Sequence, residues 1–512
     1  MPASHVCVIV RSVQFPQEGS FPLTHRTNPW LVLALVCIAQ FMVILDATIV
    51  NVALPSIQTD LGMSEASLQW IVNSYTLIFG GFLLLGGRAG DLIGRKRLFL
   101  AGLVIFSLAS LLNGLATSSQ WLIFARGLQG LGAALVSPAA LSIVIATFAE
   151  GRERAKAMSV WSAIAAGGGA VGLLLGGVLT ELFSWPWIFY VNLPVGVAAF
   201  LLSLRYVPES KEQHAHKSFD LAGAITVTAG LVALVYGIVR TESAGWTSAS
   251  TLGFAGLALV LLTAFVLIER RSAEPLVRLS IFAVRTIRSA NVAMLFVASG
   301  LFAMFFFNSL YVQRVLGYSP IQAGLAFLPV TAGIAVGAGL SQVLIRRLDL
   351  RTIGTIGLSL GTVGMLLLLR LDVGGSYVGD LLPALILISI GMGLTFVPIT
   401  LIATSGIGQD DAGLASGLLN TSQQVGGALG LAILSTLAAN RTTSALSGVG
   451  GTPSAAEQAS ALVDGFRIAF AGGAAFMAAG AILLVVMLRR SDVQRSNVQQ
   501  SDVEEPLEAA AA

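Results

Sequence analysis

The sequence predicts an all-α membrane protein of about fourteen transmembrane helices. Three observations predict it: an apolar composition beyond what a soluble core absorbs, a series of bilayer-length apolar runs, and basic residues gathered in alternate connections. Of 512 residues, 55% are hydrophobic and 11% charged, with a mean hydropathy of +0.84. Ordinary soluble proteins carry about 25% charged residues, and soluble domains divide beyond roughly 250–300 residues. Lipid is therefore the solvent for this apolar surface. A net charge of +3 offers nothing for a nucleic acid to bind, so that class of partner is set aside.

Runs of about 20 apolar residues, enough to cross a bilayer, fall near 31–54, 68–90, 98–117, 121–147, 157–180, 187–206, 220–239 and 249–268. They continue near 291–313, 321–345, 352–370, 380–403, 412–439 and 466–488. A β-barrel would show short alternating segments instead, and is excluded.

The basic residues follow a cytoplasmic N-terminus. Predicted inner connections hold Arg95, Lys96 and Arg97; Arg152, Arg154 and Lys156; Arg205, Lys211 and Lys217. They continue with Arg270, Arg271, Arg278, Arg285 and Arg288, then Arg346, Arg347 and Arg351, then Arg489 and Arg490. Outer connections are short and lean acidic (Asp60, Glu65, Glu181), while 404–411 is an exception, holding Asp410 and Asp411 without a base. Both termini are thus expected in the cytoplasm of a bacterial cell whose inner membrane carries the protein.

The expected organisation is a cytoplasmic extension (1–29), an N-terminal six-helix bundle (30–206), a linker with two extra spans (207–290), a C-terminal six-helix bundle (291–488) and a disordered cytoplasmic tail (489–512). The first long run is expected to serve as an uncleaved signal anchor, because the patch at Val6–Val10 lacks the length and basic flank of a signal peptide. A faint repeat links the halves: the Gly-Gly…Arg-Lys-Arg stretch at 86–97 resembles Gly339 to Arg351, as in transporters built from repeats. Cys7 and Cys37 do not suggest a disulfide, and His214 and His216 read as a solvated linker rather than a metal pair.

Asp46 lies inside the first run, in Leu45-Asp46-Ala47-Thr48-Ile49-Val50-Asn51. An ionised carboxylate there costs about 2.5–3.5 kcal/mol on insertion scales, tolerable only when it is hydrated, paired, protonated or snorkelling to the interface. Arg126, in the fourth run, is expected at a similar depth in the outer half. A neighbouring cation favours the carboxylate while desolvation opposes it, so Asp46 and Arg126 are the candidate proton-coupling pair. In Gly90-Asp91-Leu92-Ile93-Gly94-Arg95-Lys96-Arg97, an acid before a turn and bases after it form a candidate inner gate; the same cluster serves topology alone. Gly167, Gly168, Gly169, Gly172, Gly176 and Gly177 in the fifth run let helices approach closely or bend. Asn51, Gln129, Phe302 and Phe306 are candidates for the substrate cavity, although Phe302 and Phe306 belong to an aromatic group with Phe305 and Phe307 that packing or lipid contact explains better.

These residues resemble the major facilitator superfamily, specifically the fourteen-span drug:proton antiporters of the EmrB/QacA type. The likeness rests on Leu45–Pro55, on Gly87–Arg97, on Arg126-Gly127-Leu128-Gln129-Gly130 and on Trp187-Ile188-Phe189-Tyr190-Val191-Asn192-Leu193-Pro194. It extends to Gly317-Tyr318-Ser319-Pro320 and Gly324–Pro329. The resemblance implies two six-helix bundles rocking about a central cavity, two extra spans, and export coupled to proton entry. It also implies coupling roles for Asp46 and Arg126 and gating roles for Asp91 and Arg95. The sequence departs from the family pattern at Leu173, where the fifth span usually has Pro; at Pro186, where a base is common; and at Leu92, where an Arg is common.

The expected function is proton-coupled export of drug- or antibiotic-like amphipathic molecules, with uptake of an endogenous metabolite on the same fold as the alternative. No intramembrane reactive cluster suggests an enzyme, and no phosphate loop suggests an ATP-driven pump. No cofactor is expected, the proton gradient supplying the drive. The expected partners are the small-molecule substrate, protons and the lipid bilayer; oligomeric state stays open, a monomer being compatible with the sequence. Because Asp46 is the one acid deep within a predicted span, neutral, weakly cationic or anionic substrates are expected over dications.

Overall fold

The computed structural model describes residues 28–148, 151–209, 220–272, 275–405, 409–448 and 453–489. Among them there is no β-strand. The extension through residue 27, Cys7, Lys211, His214, His216, Lys217, Arg490 and the acidic tail lie outside the described residues. So do the side chains of Glu65, Asp91, Asp410 and Asp411.

The first half of the chain folds as α1 (Pro29–Leu61), α2 (Glu65–Leu68), α3 (Trp70–Ile93), α4 (Arg95–Gly114), α5 (Ser119–Thr147), α6 (Arg152–Leu182), α7 (Trp187–Tyr190) and α8 (Asn192–Tyr206). A hairpin of α9 (Leu221–Ala244) and α10 (Ala249–Arg271) follows. The second half holds α11 (Arg285–Leu310), α12 (Pro320–Ala326), α13 (Leu328–Leu344), α14 (Leu350–Leu367), α15 (Leu382–Thr404), α16 (Gln409–Ser447) and α17 (Ala455–Met487).

Twelve helical segments among the described residues are long and apolar enough to cross a membrane, and the protein is a multi-pass membrane protein. The expected count was fourteen. The two long helices outside the twelve are α6 and α16, which are glycine-rich or carry runs such as Asn420-Thr421-Ser422-Gln423-Gln424. Inside the molecule α6 packs against α1 and α16 against α11, where small and polar side chains replace the apolar ones that lipid demands.

Helix ends also differ from the apolar runs. α16 and α17 begin or end well beyond 412–439 and 466–488, because capped polar turns continue a helix into water. Ser454 and Glu457 form a capping box that starts α17 eleven residues before the predicted run reaches Phe466. Conversely, 321–345 is broken near Phe327, ahead of Pro329 at the start of α13.

The two halves share one packing plan. α1 lies on α6 as α11 lies on α16; α3 and α4 flank α5 as α13 and α14 flank α15. The α9–α10 hairpin packs on the seam between α3 and α16, with α10 outermost, and its Leu252, Leu259 and Val260 are 58–69% exposed. That is the surface of a lipid-facing helix.

One end of the helix bundle carries Arg95–Arg97 and is called the basic end below. At the opposite end the halves are joined. Ser309 Oγ donates to the Asn51 carbonyl at 2.6 Å, Gln313 Nε2 to the Val52 carbonyl at 3.0 Å, and Arg314 to Gln58. Nearby, Glu181 Oε2 accepts the Ile321 amide at 2.8 Å. Here α6 and α12 cross backbone to backbone: a Cβ on Gly177 would lie 2.4 Å from the Pro320 carbonyl, and one on Gly324 would lie 2.7 Å from that of Leu173. Toward the basic end the same flank opens, since a Cβ on Gly167 of α6 or Gly339 of α13 would meet nothing within 4 Å.

Candidate functional site

Asp46 is fully buried in the middle of α1, and Arg126 on α5 is 1% exposed. Their side chains meet, Arg126 Nη1 lying 2.6 Å from Asp46 Oδ2. Two charges in a dry interior cost several kcal/mol each unless paired and fully hydrogen-bonded, and the surroundings meet that demand. Asp46 Oδ1 accepts from Gln129 Nε2 at 2.7 Å and from Asn192 Nδ2 at 2.9 Å. Gln129 in turn accepts from Arg126 Nη1 and Asn113 Nδ2, each at 2.7 Å, and donates to Ser110 at 2.8 Å.

The guanidinium is held on its other sides as well. Its Nε donates to the Ile71 carbonyl at 3.1 Å, and its carbon sits 4.4 Å above the Tyr75 ring and 5.7 Å from that of Phe189. Six helices thus contribute: α1 the acid, α5 the base and Gln129, α4 Ser110 and Asn113, α8 Asn192, α3 the carbonyl and one ring, and α7 the Phe189 ring. Every group facing Asp46 is a donor, so the shell is complementary to a carboxylate rather than to a carboxylic acid.

Gln129, expected in the cavity, belongs to this closed network and is fully buried. Phe306 is also removed from the cavity: it is 2% exposed within the apolar core and packs edge-on against Phe307 at 5.2 Å, while Phe307 in turn meets Phe466 and Phe470 of α17. Phe302 is half-buried against Gly427 of α16. Asn51 is half-buried, its amide turned back to the Thr48 carbonyl at 3.2 Å. Among the less buried positions of α1, Gln40, Ile44, Ala47 and Asn51 form one helical stripe at steps of three and four beside the sealed Asp46, with Phe41 and Thr48 along its edge. At the basic end of the α1–α6 crevice lies a hollow of about 400 Å³ whose lining, including Trp30, Ile38, Phe41 and Ile164, is wholly apolar.

The glycines of α6 divide by position. A Cβ on Gly172 would lie 2.0 Å from Thr48 Oγ1, and one on Gly176 would lie 2.7 Å from the Ile49 carbonyl, so both seat α6 against α1. Gly168 faces Ile44 at 3.0 Å, Gly169 has only an ordinary contact, and Gly177 serves the crossing with α12.

At the basic end, α3 and α4 are separated by one residue, Gly94, with φ 114° and ψ 132°. Gly90 precedes it with ordinary spacing around its Cα. Sequence reasoning missed Glu209, which follows α8 and accepts the Lys96 amide at 3.1 Å. Its other oxygen lies 3.6 Å from Arg97, and Lys96 Nζ donates to the Leu204 carbonyl at 2.8 Å. The turn bearing Arg95, Lys96 and Arg97 is therefore tied to the end of α8; the side chain of Asp91 lies outside the described residues. Asn192, Ser110 and Asn113 were missed too, since lone amides and hydroxyls in apolar runs give no strong signal.

Comparison with known proteins bears on the family and the fold. The family model described as Major Facilitator Superfamily matches residues 36–431. The puromycin resistance protein of Streptomyces alboniger is 42% identical over 462 residues, covering 90% of each chain. The cephamycin export protein of Amycolatopsis lactamdurans is 42% identical over 458 residues, covering 89% of this chain and 92% of its own. Among solved structures, a bacterial homologue of the human lysosomal transporter Spinster superposes with a TM-score of 0.66 at 17% identity, over 92% of this chain and 99% of its own, which shows a shared fold.

Proposed function

The chain belongs to the major facilitator superfamily, a transporter and not an enzyme, and on that premise we propose that it exports an amphipathic antibiotic- or drug-like molecule in exchange for protons. Relatives named for puromycin resistance and cephamycin export support the substrate class. The observation that carries the coupling is the ion pair of Asp46 and Arg126, sealed among donors in the form with the halves joined at the end opposite Arg95–Arg97.

In this reading the basic end faces the cytoplasm of a bacterial cell, both termini are cytoplasmic, and the joined end faces outside. α6 and α16 complete the count of spans at fourteen. Asn51, which accepts from Ser309 at the outer join, lies five residues along α1 from Asp46, about 7.5 Å at 1.5 Å per residue. Parting of the halves at that join opens a short path from outside water to the carboxylate. A proton arriving there neutralises Asp46 and dissolves the ion pair. Arg126 keeps its bonds to Gln129 and Ile71 and its place over Tyr75, so the cation stays housed while its partner is neutral. Return of the halves to the form closed outside, with the proton released inward, completes the exchange. No bound cofactor takes part.

The substrate side follows from polarity. The α1 stripe offers an amide at Gln40 and at Asn51 but no charge, and the crevice toward the basic end is apolar. Apolar walls with few polar groups suit neutral or singly charged amphiphiles. A dication would need further carboxylates facing it.

The test is proton-driven transport in Asp46→Asn, reconstituted with an imposed pH gradient. Loss of gradient-driven export with substrate binding retained is the expected result. Wild-type coupling in that variant would remove Asp46 from the mechanism. Accumulation of a fluorescent dye in cells with and without the gene fixes the direction, export lowering the dye content.

A further inference from the structure

Asp220 and Glu269 lie at the basic end of the α9–α10 hairpin, apart from the network around Asp46. Asp220 caps α9, its Oδ1 accepting the Gly223 amide at 2.7 Å. Glu269, in the last turn of α10, accepts the Val277 amide through Oε2 at 3.1 Å. Capping and that bond account for one oxygen on each side chain. They leave the other unexplained.

Asp220 Oδ2 and Glu269 Oε1 are both buried without a hydrogen-bond partner, on residues 7% and 4% exposed. They converge on one spot. A Cβ placed on Gly223 would lie 2.9 Å from Asp220 Oδ2 and 2.8 Å from Glu269 Oε1. Among the described residues neither carboxylate has an ion-pair partner. Among the described residues, the charged groups nearest in the chain to Glu269, namely Arg270, Arg271 and Arg278, are exposed. On the helices around this end, Arg88 of α3 and Arg285 and Arg288 of α11 are not ion-paired to either acid. Two carboxylates facing each other in a dry site repel strongly when both are ionised, whereas one proton between them satisfies both free oxygens with a single hydrogen bond.

Val277 gives the pair a mechanical connection. The segment 275–284 inserts Val277 and Ile281 among Leu84 of α3, Ile287 of α11, and Ala415 and Leu418 of α16. These residues come from both halves, toward the basic end, where α3 and α16 also meet directly, a Cβ on Gly417 lying 2.7 Å from Leu84. We propose that Asp220 and Glu269 are a second proton-binding site, sharing one proton, and that this proton holds the 275–284 segment in the seam between the halves. Its loss sets two like charges against each other, and the site relaxes by lifting the segment and admitting water. The inference stands independently of the role given to Asp46.

Infrared spectroscopy of the full chain in lipid nanodiscs tests it, in an Asp46→Asn background that removes the other buried carboxylate among the described residues. A carboxylic-acid carbonyl band present at neutral pH is expected. It should vanish at alkaline pH, and vanish at neutral pH in both Glu269→Gln and Asp220→Asn, which keep the side chain's size. Amide hydrogen exchange of 275–284, corrected for intrinsic rate, should rise about tenfold or more over the same pH interval. Absence of the acid band at neutral pH, or a band that both substitutions leave unchanged, overturns the proposal. So does protection of 275–284 that depends on added sodium or calcium at constant pH, which would make the ligand a metal cation. Should Glu269→Gln fail to fold, Asp220→Asn carries the same reading, because either amide removes the shared proton.

Discussion

Asn192, the first residue of α8, donates to Asp46 Oδ1 at 2.9 Å and so ties the start of that helix to the middle of α1. The bond spans 146 positions in the chain and shares its acceptor oxygen with Gln129. Replacing Asn192 with Ala leaves that oxygen one donor short in a dry site, a loss of about 1–3 kcal/mol. A drop of that size in unfolding free energy, accompanied by a changed pH dependence of export, is expected. Asn192→Asp places a second carboxylate against the first and should be worse than Ala on both counts. Parallel denaturation and transport assays across pH check both variants.

The ion pair predicts a sharp asymmetry between single and double substitutions. Arg126→Ala leaves Asp46 buried and uncompensated, which costs about 3–5 kcal/mol. Asp46→Asn together with Arg126→Ala removes both charges and should recover much of that stability while leaving coupling abolished. A double-mutant cycle read by both thermal stability and proton-driven export separates the two effects. Equal stability loss in Arg126→Ala and the double variant would mean that the charges do not feel each other.

What the sequence made legible was whatever is expensive in lipid. A carboxylate within the first apolar run and a guanidinium within the fourth had to find each other, and Asp46 and Arg126 lie 2.6 Å apart. Asn192, Ser110 and Asn113 carried no comparable signal, because a neutral amide or hydroxyl within a span is cheap and common. The two interior helices α6 and α16 were found as runs, although their glycine and amide content sets them below the twelve more apolar segments. Phe306 illustrates the limit of reading a cluster by composition: four aromatics at 302–307 point around α11, and only its angular position sends this one into the core. Segment 275–284 is too short and irregular to announce itself. Its place between the halves becomes visible only through Val277 and Ile281.

The crossing of α6 and α12 predicts a conformational bias. A Cβ on Gly177 would sit 2.4 Å from the Pro320 carbonyl, and backbone cannot yield as a flexible side chain does. Gly177→Ala should therefore destabilise the joined end by about 1–3 kcal/mol, the usual range for overpacking, and shift the population toward forms parted there. Cysteine labelling at Ser319, at the start of α12, should quicken roughly tenfold for each 1.4 kcal/mol. Gly167→Ala, where the added carbon meets nothing within 4 Å, should leave the labelling rate unchanged.

The turn at Gly94 allows two causes of glycine dependence to be separated. With φ 114° and ψ 132°, an L side chain is strained there whatever the space, by about 1–3 kcal/mol. In addition, a Cβ would lie 2.6 Å from the Glu209 carboxylate that accepts the Lys96 amide. Gly94→Ala therefore suffers both strain and a collision that loosens the tie between α8 and the basic turn. Glu209→Ala alone removes a partly exposed contact and should cost little stability, in keeping with the small worth of exposed ion pairs. Combined with Glu209→Ala, the Gly94→Ala substitution should become milder than in the wild-type background but still destabilising, because the backbone strain persists after the collision is gone. Thermal unfolding of the four variants in the same detergent gives the comparison. Complete rescue would place the whole cost in the collision with Glu209, and no rescue would place it in the dihedral angles.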